Sequence, residues 1–320
     1  MMDHQMQFSF KKILFFLVTL VLTSQCFAQS IDAEKLLKHI EYLSSDQLAG
    51  RKPLSEGNLK AREYILDEIT SFSNVQALYP DFIQRFSFVN RRENRTYEDA
   101  ANLVAFIPGS KSRKVIVVTA HYDHVGIGRP DAKGDSIFNG ADDNASGTAA
   151  LLVLAEYFSK NRPQHCMMFV ALDAEEMGLQ GAKALVDDFP YPLEQILLNV
   201  NLDMLSRSDK NELYASGTYH NPQFKAILEQ ASSGSDPVLR LGHDIPGTGK
   251  EDWTKSSDHG AFFEKKVPHL YFGVEDHIDY HKPSDEFENI NPAFYIKAVN
   301  LVLTCILKLD SELMEESSGK

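Results

Sequence analysis

The chain has 320 residues and carries 45 acidic against 32 basic side chains, a net charge of −13 at pH 7. This acidity argues against nucleic acids and anionic membranes as partners. At 43% hydrophobic residues, the chain can form one large α/β domain, and no Pro-, Gly- or Ser-rich linker divides it.

Residues 1 to 28 have the pattern of an export signal. Two lysines precede an apolar run over residues 13 to 22, and small residues flank a cleavage point after Ala28. The run is shorter than the ~20 apolar residues that span a bilayer, and no later stretch reaches that length without a charge. We therefore predict an exported protein, periplasmic or secreted, without stable membrane insertion, whose mature domain is residues 29 to 320.

The three cysteines leave two questions open. Cys26 would allow a lipid anchor, but Gln25 is bulkier than the small residue that usually precedes a lipidated cysteine. Cys166 and Cys305 lie in apolar segments, where a free thiol behaves as a small core residue. A single disulfide between these two remains open in an oxidising compartment.

Two helical stretches, residues 32 to 43 and 57 to 71, begin the mature chain. Apolar runs then alternate with helices, a pattern typical of a wound sheet. Strands covered on both faces are predicted at residues 115–119, 167–172, 196–202 and 270–274. Residues 148 to 158, with Glu156 as their only charge, predict a buried helix. The expected fold is α/β, with a mixed, mostly parallel central sheet and helices on both faces.

The last helix is predicted to begin with Asn291 as N-cap and Pro292 at the first helical position, and to run to about Leu309. The polar tail from Ser311 to Lys320 is expected to be disordered.

Polar residues follow three of the predicted strands directly. His121, Glu175 and Asp203 each come where an apolar run ends. The carboxyl edge of an open α/β sheet is where ligands bind, so the sequence predicts a site there.

The segment AHYDHVG, residues 120 to 126, has the composition of a metal site. His121 can bind a metal, because Asp123 can accept its second N–H and fix the tautomer. His124 is expected to be a structural residue.

Two adjacent carboxylates precede the buried helix in GADDNASG, residues 140 to 147. One aspartate there would serve as a helix cap. Two adjacent acids repel each other unless a cation or donors compensate them. Asp143 can bridge two ions with its two oxygens, and Asp142 is expected to be a loop residue.

Glu175 and Glu176 offer two carboxylates with different uses. One can bind a metal while the other accepts a proton from water. Asp203 follows an apolar strand, where an unpaired carboxylate is costly to bury. Tyr280 and His281 come after the last predicted strand, and His281 can complete a second set of ligands.

Taken in order, the segments HYD, DDNASG, EEMG, NLDM and YHKPSD resemble the co-catalytic zinc aminopeptidases of peptidase family M28. The resemblance runs from about residue 40, through LSSDQLAGRKPLSEGN, to about residue 300. It implies two zinc ions, bridged by Asp143, which precedes a cis peptide. His121 and Asp203 would complete one site, and Glu176 and His281 the other.

The resemblance also implies the catalytic roles. Glu175 would be the general base, Asp123 would support His121, and Tyr280 would donate to the oxyanion. The implied activity is that of a zinc-dependent metallopeptidase, an exopeptidase acting on peptides with a free N-terminus, since five carboxylates can hold an α-amino group. Zinc suits the mixed imidazole and carboxylate set, and manganese or cobalt could replace it in vitro.

Three alternatives remain. A glutaminyl cyclase would share the fold but use one zinc, and an inactive binding protein would need neither Glu175 nor five ligands. A carboxypeptidase would need a cationic clamp for the terminal carboxylate, and the motif segments offer only Arg207 and Lys282. The loop over residues 248 to 259 is expected to cover the site, where Trp253 could line a pocket. Asp258 and His259 are assigned no role, and the sequence does not indicate the oligomeric state.

Overall fold

An eight-stranded mixed sheet organises the computed structural model, which describes residues 29 to 313. The sheet order is β1-β2-β6-β3-β7-β10-β8-β9, and β4 pairs with β5 in a separate ribbon. The four adjacent strands β6, β3, β7 and β10 are parallel. The strands are β1 Ile83–Asn90, β2 Arg95–Ile107, β3 Val115–His121, β4 Gly126–Ile127, β5 Ile137–Phe138, β6 Cys166–Leu172, β7 Ile196–Leu202, β8 Glu212–Ser216, β9 Val238–Leu241 and β10 His269–Gly273.

Helices cover both faces of this sheet. They are α1 Ala33–Leu43, α2 Glu56–Ser71, α3 Gly147–Lys160, α4 Gln180–Asp187, α5 Lys225–Ala231, α6 His259–Glu264 and α7 Pro292–Glu312. Side chains of α1, α2, α3, α5 and α7 share one core with residues such as Ile116 and Val118 of β3. Side chains of α4 and α6 share a second core with Val115 and Val117. This alternation along β3 follows the two-residue period of a strand and confirms the predicted fold class.

The four predicted strands are confirmed with small changes in their bounds. Side-chain caps explain why the predicted helices begin where they do: Asp32 accepts from Lys35 N, and Asn291 accepts from Phe294 N. The last helix ends later than predicted. The expected disorder is wrong for Ser311 and Glu312, because α7 continues through them and ends at its C-cap Leu313; residues 314 to 320 lie outside the described part of the chain.

The predictions about the cysteines and the membrane can be compared with the structure only in part. The export signal and Cys26 lie outside the described residues, whereas Cys166 and Cys305 are both free and buried. α7 is long and apolar enough to cross a membrane by length and composition, but many of its apolar side chains belong to the core.

Arg51 ties together the loops that carry the predicted site. Its guanidinium is 1% exposed and donates to the carbonyls of Tyr122, at 2.8 Å, Asn139, at 2.6 Å, Gly140, at 3.1 Å, and Leu43. Tyr122 follows β3, and Gly140 precedes Asp143 along the chain. One buried side chain therefore holds the ends of two ligand-bearing segments.

Replacing Arg51 with Met should lower the free energy of unfolding by about 3 to 5 kcal/mol, because several buried carbonyls lose their donor at a cost of about 1 kcal/mol or more each. Urea denaturation of the metal-free protein measures the change. Arg85→Met is the control, since Arg85 is exposed and pairs with Asp99 at the surface, an interaction worth about 1 kcal/mol at most. Equal losses in the two variants would contradict the assigned role.

Candidate metal centre

The predicted site residues converge at the carboxyl ends of the central parallel strands. His121 is the last residue of β3, Asp203 follows β7 directly, and Glu175 comes just after β6. Together with Asp143 and His281 they line one cleft of about 1080 Å³. The sheet topology therefore explains why segments distant in sequence meet here.

A first group of potential ligands surrounds His121. Its Nε2 lies 3.4 Å from Oδ1 of Asp143 and 3.5 Å from Oδ1 of Asp203. All three residues are buried, and their ligand atoms lie within 4.8 Å of one another. Oδ1 of Asp203 has no hydrogen-bond partner among the described residues, so this oxygen is free to bind a cation.

A second group lies on the other side of the Asp143 carboxylate. Nε2 of His281 is 2.9 Å from Oδ2 of Asp143 and 3.4 Å from Oε1 of Glu176. The structure also brings in His124, which the sequence had suggested was structural. Its Nδ1 lies 2.8 Å from Oε1 of Glu176 and 3.8 Å from Oδ2 of Asp143. The only sequence signal for His124 was its place three residues after His121.

Asp123 was predicted to accept the second N–H of His121 with its carboxylate, but the carboxylate makes its hydrogen bonds elsewhere. The Nδ1 of His121 lies 3.2 Å from the backbone carbonyl of Asp123 and 3.7 Å from its carboxylate. That carboxylate instead accepts from the amides of Glu175, at 3.0 Å, and Glu176, at 3.4 Å. Asp123 therefore touches His121 and fixes the backbone of both glutamates.

Buried acids also fix the backbone around Asp143. The carboxylate of Asp285 accepts from the amides of Asp142 and Asp143, each at 3.0 Å. Asp142 is buried rather than a surface loop residue, and it accepts from Ser206 and lies 3.1 Å from Nε2 of His277. The peptide bond from Asp143 to Asn144 is cis, as the resemblance implied.

The pKa values in the cleft show that acidic and basic side chains stabilise each other's charged forms, which burial alone would disfavour. Burial alone would lower the pKa of His121, but Asp203 and its neighbours raise it well above its usual value. Burial and Asp143 oppose ionisation of Glu176, yet His124 and His281 lower its pKa to about 2. Burial would raise the pKa of Asp143 too, and the three histidines hold it well below the ordinary range.

Glu175 stands apart from this pattern. Burial raises its pKa well above the ordinary value, and Asp258, Glu176 and Asp203 push it in the same direction. Its side chain lines the cleft beside the two groups, and it has no place in either of them. A carboxyl group with a raised pKa that faces a cleft has the properties of a general base or acid.

A family comparison matches the segment that contains all these residues. The model described as "Peptidase family M28" covers residues 102–306. The chain belongs to peptidase family M28. Aminopeptidase YwaD of Bacillus subtilis is 28% identical over 205 residues, which cover 61% of this chain and 41% of YwaD. The chain spans less than half the length of the first curated relatives it matches.

Solved structures share the fold of this M28 chain. The zinc aminopeptidase BSAP of Bacillus subtilis aligns with a TM-score of 0.67 at 17% identity, covering 88% of this chain and 96% of that structure. A glutaminyl cyclase of Bacteroides thetaiotaomicron, bound to N-acetylhistamine, aligns with a TM-score of 0.69 at 18% identity, covering 87% and 98%. At such identities the likeness concerns the fold alone.

The donor set of this M28 chain fits zinc. Tetrahedral zinc with ligands at ~2.0–2.2 Å places neighbouring ligand atoms about 3.3–3.5 Å apart. The distances from His121 Nε2 to Asp143 and Asp203 are 3.4 and 3.5 Å, and that from His281 Nε2 to Glu176 is 3.4 Å. The mixture of imidazole and carboxylate ligands also suits zinc.

Aromatic residues form part of the cleft wall in the M28 chain. Tyr280 stacks on His281 with ring centroids 4.0 Å apart, and both line the cleft. Trp253 lines it as well and stacks on His243 at 3.7 Å. Trp253 is therefore fixed by its own packing within the loop that was predicted to cover the site.

The cleft is lined by cations that lie outside the motif segments, namely Lys52, Arg91, Arg92 and Lys255. The two cations of the motif segments are not among the residues that line it: Arg207 forms an ion pair with Asp279, and Lys282 donates to a backbone carbonyl. Arg91 and Arg92 lie between β1 and β2, a hairpin absent from the predicted elements, which explains why the sequence did not suggest them.

Proposed function

We propose that the chain is a dizinc exopeptidase that releases N-terminal residues from peptides. The observation that carries this proposal is the Asp143 carboxylate between two ligand groups, with Glu175 beside them in the same cleft. The names of the relatives, which include aminopeptidase and zinc metalloprotease, support the same reaction class. The proposal includes export, which rests on the sequence of residues 1 to 28.

Two zinc positions follow from the two groups. His121, Asp203 and Oδ1 of Asp143 would hold the first, and Glu176, His281 and Oδ2 of Asp143 the second. Bound zinc supplies Lewis acidity, which polarises a substrate carbonyl and makes water easier to deprotonate near neutral pH.

Glu175 would move the proton. As a carboxylate it accepts a proton from the attacking water, and as a carboxylic acid it returns that proton to the leaving amine. Tyr280 lines the same cleft and would donate its hydroxyl proton to the developing oxyanion.

The acidic residues of the cleft favour substrates with a free α-amino group. Glu175 and Asp276 line the cleft without a place at either zinc position, and each can attract an ammonium group beside the metal ligands Asp143, Glu176 and Asp203. This charge is the reason for preferring removal of N-terminal residues.

The cationic residues favour one second candidate, a carboxypeptidase. Arg91, Arg92 and Lys52 line the cleft and could bind a terminal carboxylate, although Lys52 also pairs with Glu93 at 2.7 Å. Glutaminyl cyclase activity is a third outcome, because a cyclase shares the fold.

Asp143→Ala should remove both metal ions together, because one carboxylate serves both positions. Elemental analysis of dialysed protein should find about two zinc ions per wild-type chain and near none in the variant. Asp67→Ala, an exposed position on α2, should retain both. A wild-type stoichiometry near one with full activity would favour the cyclase.

Glu175→Gln should keep both zinc ions and slow turnover by ~10²- to 10⁴-fold, the usual contribution of a positioned general base. The amide has nearly the same shape but cannot take up the proton. Zinc content and kcat are measured on the same preparation, and near-normal kcat would remove Glu175 from the mechanism.

An aminoacyl anilide should be hydrolysed, and its N-acetylated counterpart should not, because acetylation removes the positive charge that the cleft carboxylates attract. Release of the chromophore measures both rates. Equal rates, or cleavage of peptides from the carboxyl end alone, would refute the aminopeptidase assignment and leave the metal centre standing.

A further inference from the structure

His124 lies at the second zinc position, and its close polar neighbours are two of the proposed zinc ligands, Glu176 and Asp143. Its side chain is completely buried, and neither Nδ1 nor Nε2 makes a hydrogen bond of acceptable geometry among the described residues. A buried polar group without a hydrogen bond costs about 1 to 3 kcal/mol or more. A purely structural role for this imidazole would therefore rest on its ion pair with Glu176 alone.

The closest polar atom to His124 is a carboxylate oxygen that is also without a hydrogen bond. Nδ1 of His124 lies 2.8 Å from Oε1 of Glu176, yet both atoms lack a hydrogen-bond partner. The distance suits an ion pair, but the contact does not meet the angular criteria of a hydrogen bond. Two ligand atoms of one cation have this relation, because each is directed at the cation and not at the other ligand.

His124 and His281 approach the same pair of carboxylates from different directions. Their distances to Oε1 of Glu176 are 2.8 and 3.4 Å, and those to Oδ2 of Asp143 are 3.8 and 2.9 Å. The two imidazole rings are 5.7 Å apart and inclined at 66°. These values scatter around the ~3.3–3.5 Å edges of a tetrahedral zinc site.

We propose that His124 is a fourth protein ligand of the second zinc position, binding through Nδ1. The proposal rests on the dizinc function proposed above. It makes the two positions unequal: the second is closed by Asp143, Glu176, His281 and His124. The first keeps three protein ligands and an open place for water or substrate, which is how catalytic zinc sites differ from structural ones.

Unequal ligand sets predict unequal roles. His281 is 40% exposed on a loop, whereas His124 is buried behind it. The second ion should therefore remain bound after loss of His281, held by three protein ligands, and it should exchange more slowly than the first.

The main competing role for His124 is to position Glu176 through a hydrogen bond without touching the metal. The variant His124→Asn separates the two roles, since its side-chain amide keeps a donor near the place of Nδ1 but is a poor zinc ligand. Loss of a residue that only hydrogen-bonds a ligand weakens metal binding by ~10- to 100-fold. Loss of a ligand should exceed that range.

The test replaces zinc with cobalt(II) in the full-length protein and records the proton NMR spectrum in water and in D2O. Each imidazole bound to cobalt contributes one strongly shifted, exchangeable N–H resonance. We expect three such resonances, from His121, His124 and His281, and two in His124→Asn, whose second zinc should bind more than 100-fold more weakly. His165→Asn, which removes a buried histidine paired with Asp310, is the control and should keep three.

A wild-type spectrum with only two exchangeable resonances would overturn the ligand role while leaving the proposed peptidase intact. A loss of zinc affinity of ~100-fold or less in His124→Asn would do the same, because that is the range expected of a residue that only hydrogen-bonds a ligand. Failure of the wild-type protein to bind cobalt at all would overturn the metal centre and this inference together. Absence of peptidase activity with three resonances present would contradict the proposed function alone.

Discussion

The carboxylate of Asp143 is the group on which the rest of the site depends. One of its oxygens faces His121 and the other faces His281, so a small displacement would break both ligand groups. The backbone around it is correspondingly constrained. Its amide donates to Asp285, and the side chain of the next residue, Asn144, donates to the carbonyl of Leu202 at the end of β7. The Asp143 carboxylate is thereby fixed relative to β7, the strand that Asp203 follows.

A second constraint is electrostatic. Several carboxylates of the cleft lie so close together that their repulsion would keep some of them from ionising unless positive charges compensated them. Burial raises the pKa of Asp203 and brings that of Asp258 to about 8, whereas the histidines lower the pKa of Glu176. Divalent cations would supply the missing positive charge without protons. They would also leave the imidazoles neutral, as metal binding requires.

The sequence predicted the parallel centre of the sheet well because those strands are buried on both faces and read as continuous apolar runs. It missed the hairpin of β1 and β2, in which the residues of β1 are mostly exposed or half-buried and the first residues of β2 are exposed, and the short strands β8 and β9. The loops at the strand ends could be placed from residue type and order. The direction of each side chain could not, since it depends on how the chain turns after the strand. His124 and Arg51 show this: His124 was expected to be structural but lies 2.8 Å from Oε1 of Glu176, and Arg51, to which the sequence assigned no role, is buried and binds four carbonyls.

The turns after the strands explain how neighbouring residues serve different purposes. Ala174 and Met204 both have φ of 60°, and His281 has φ of 53°, a left-handed conformation that costs a residue with a side chain about 1 kcal/mol or more. Each lies at or beside a predicted site residue. The sharp turn at Ala174 brings the amides of Glu175 and Glu176 to the carboxylate of Asp123, which offsets part of the cost. The left-handed conformation of Met204 is held by its carbonyl, which accepts from Val274 N after β10. Strain at Ala174 and Met204 is therefore offset by hydrogen bonds with neighbouring segments, which fix the positions of Glu175, Glu176 and Asp203 at the strand ends.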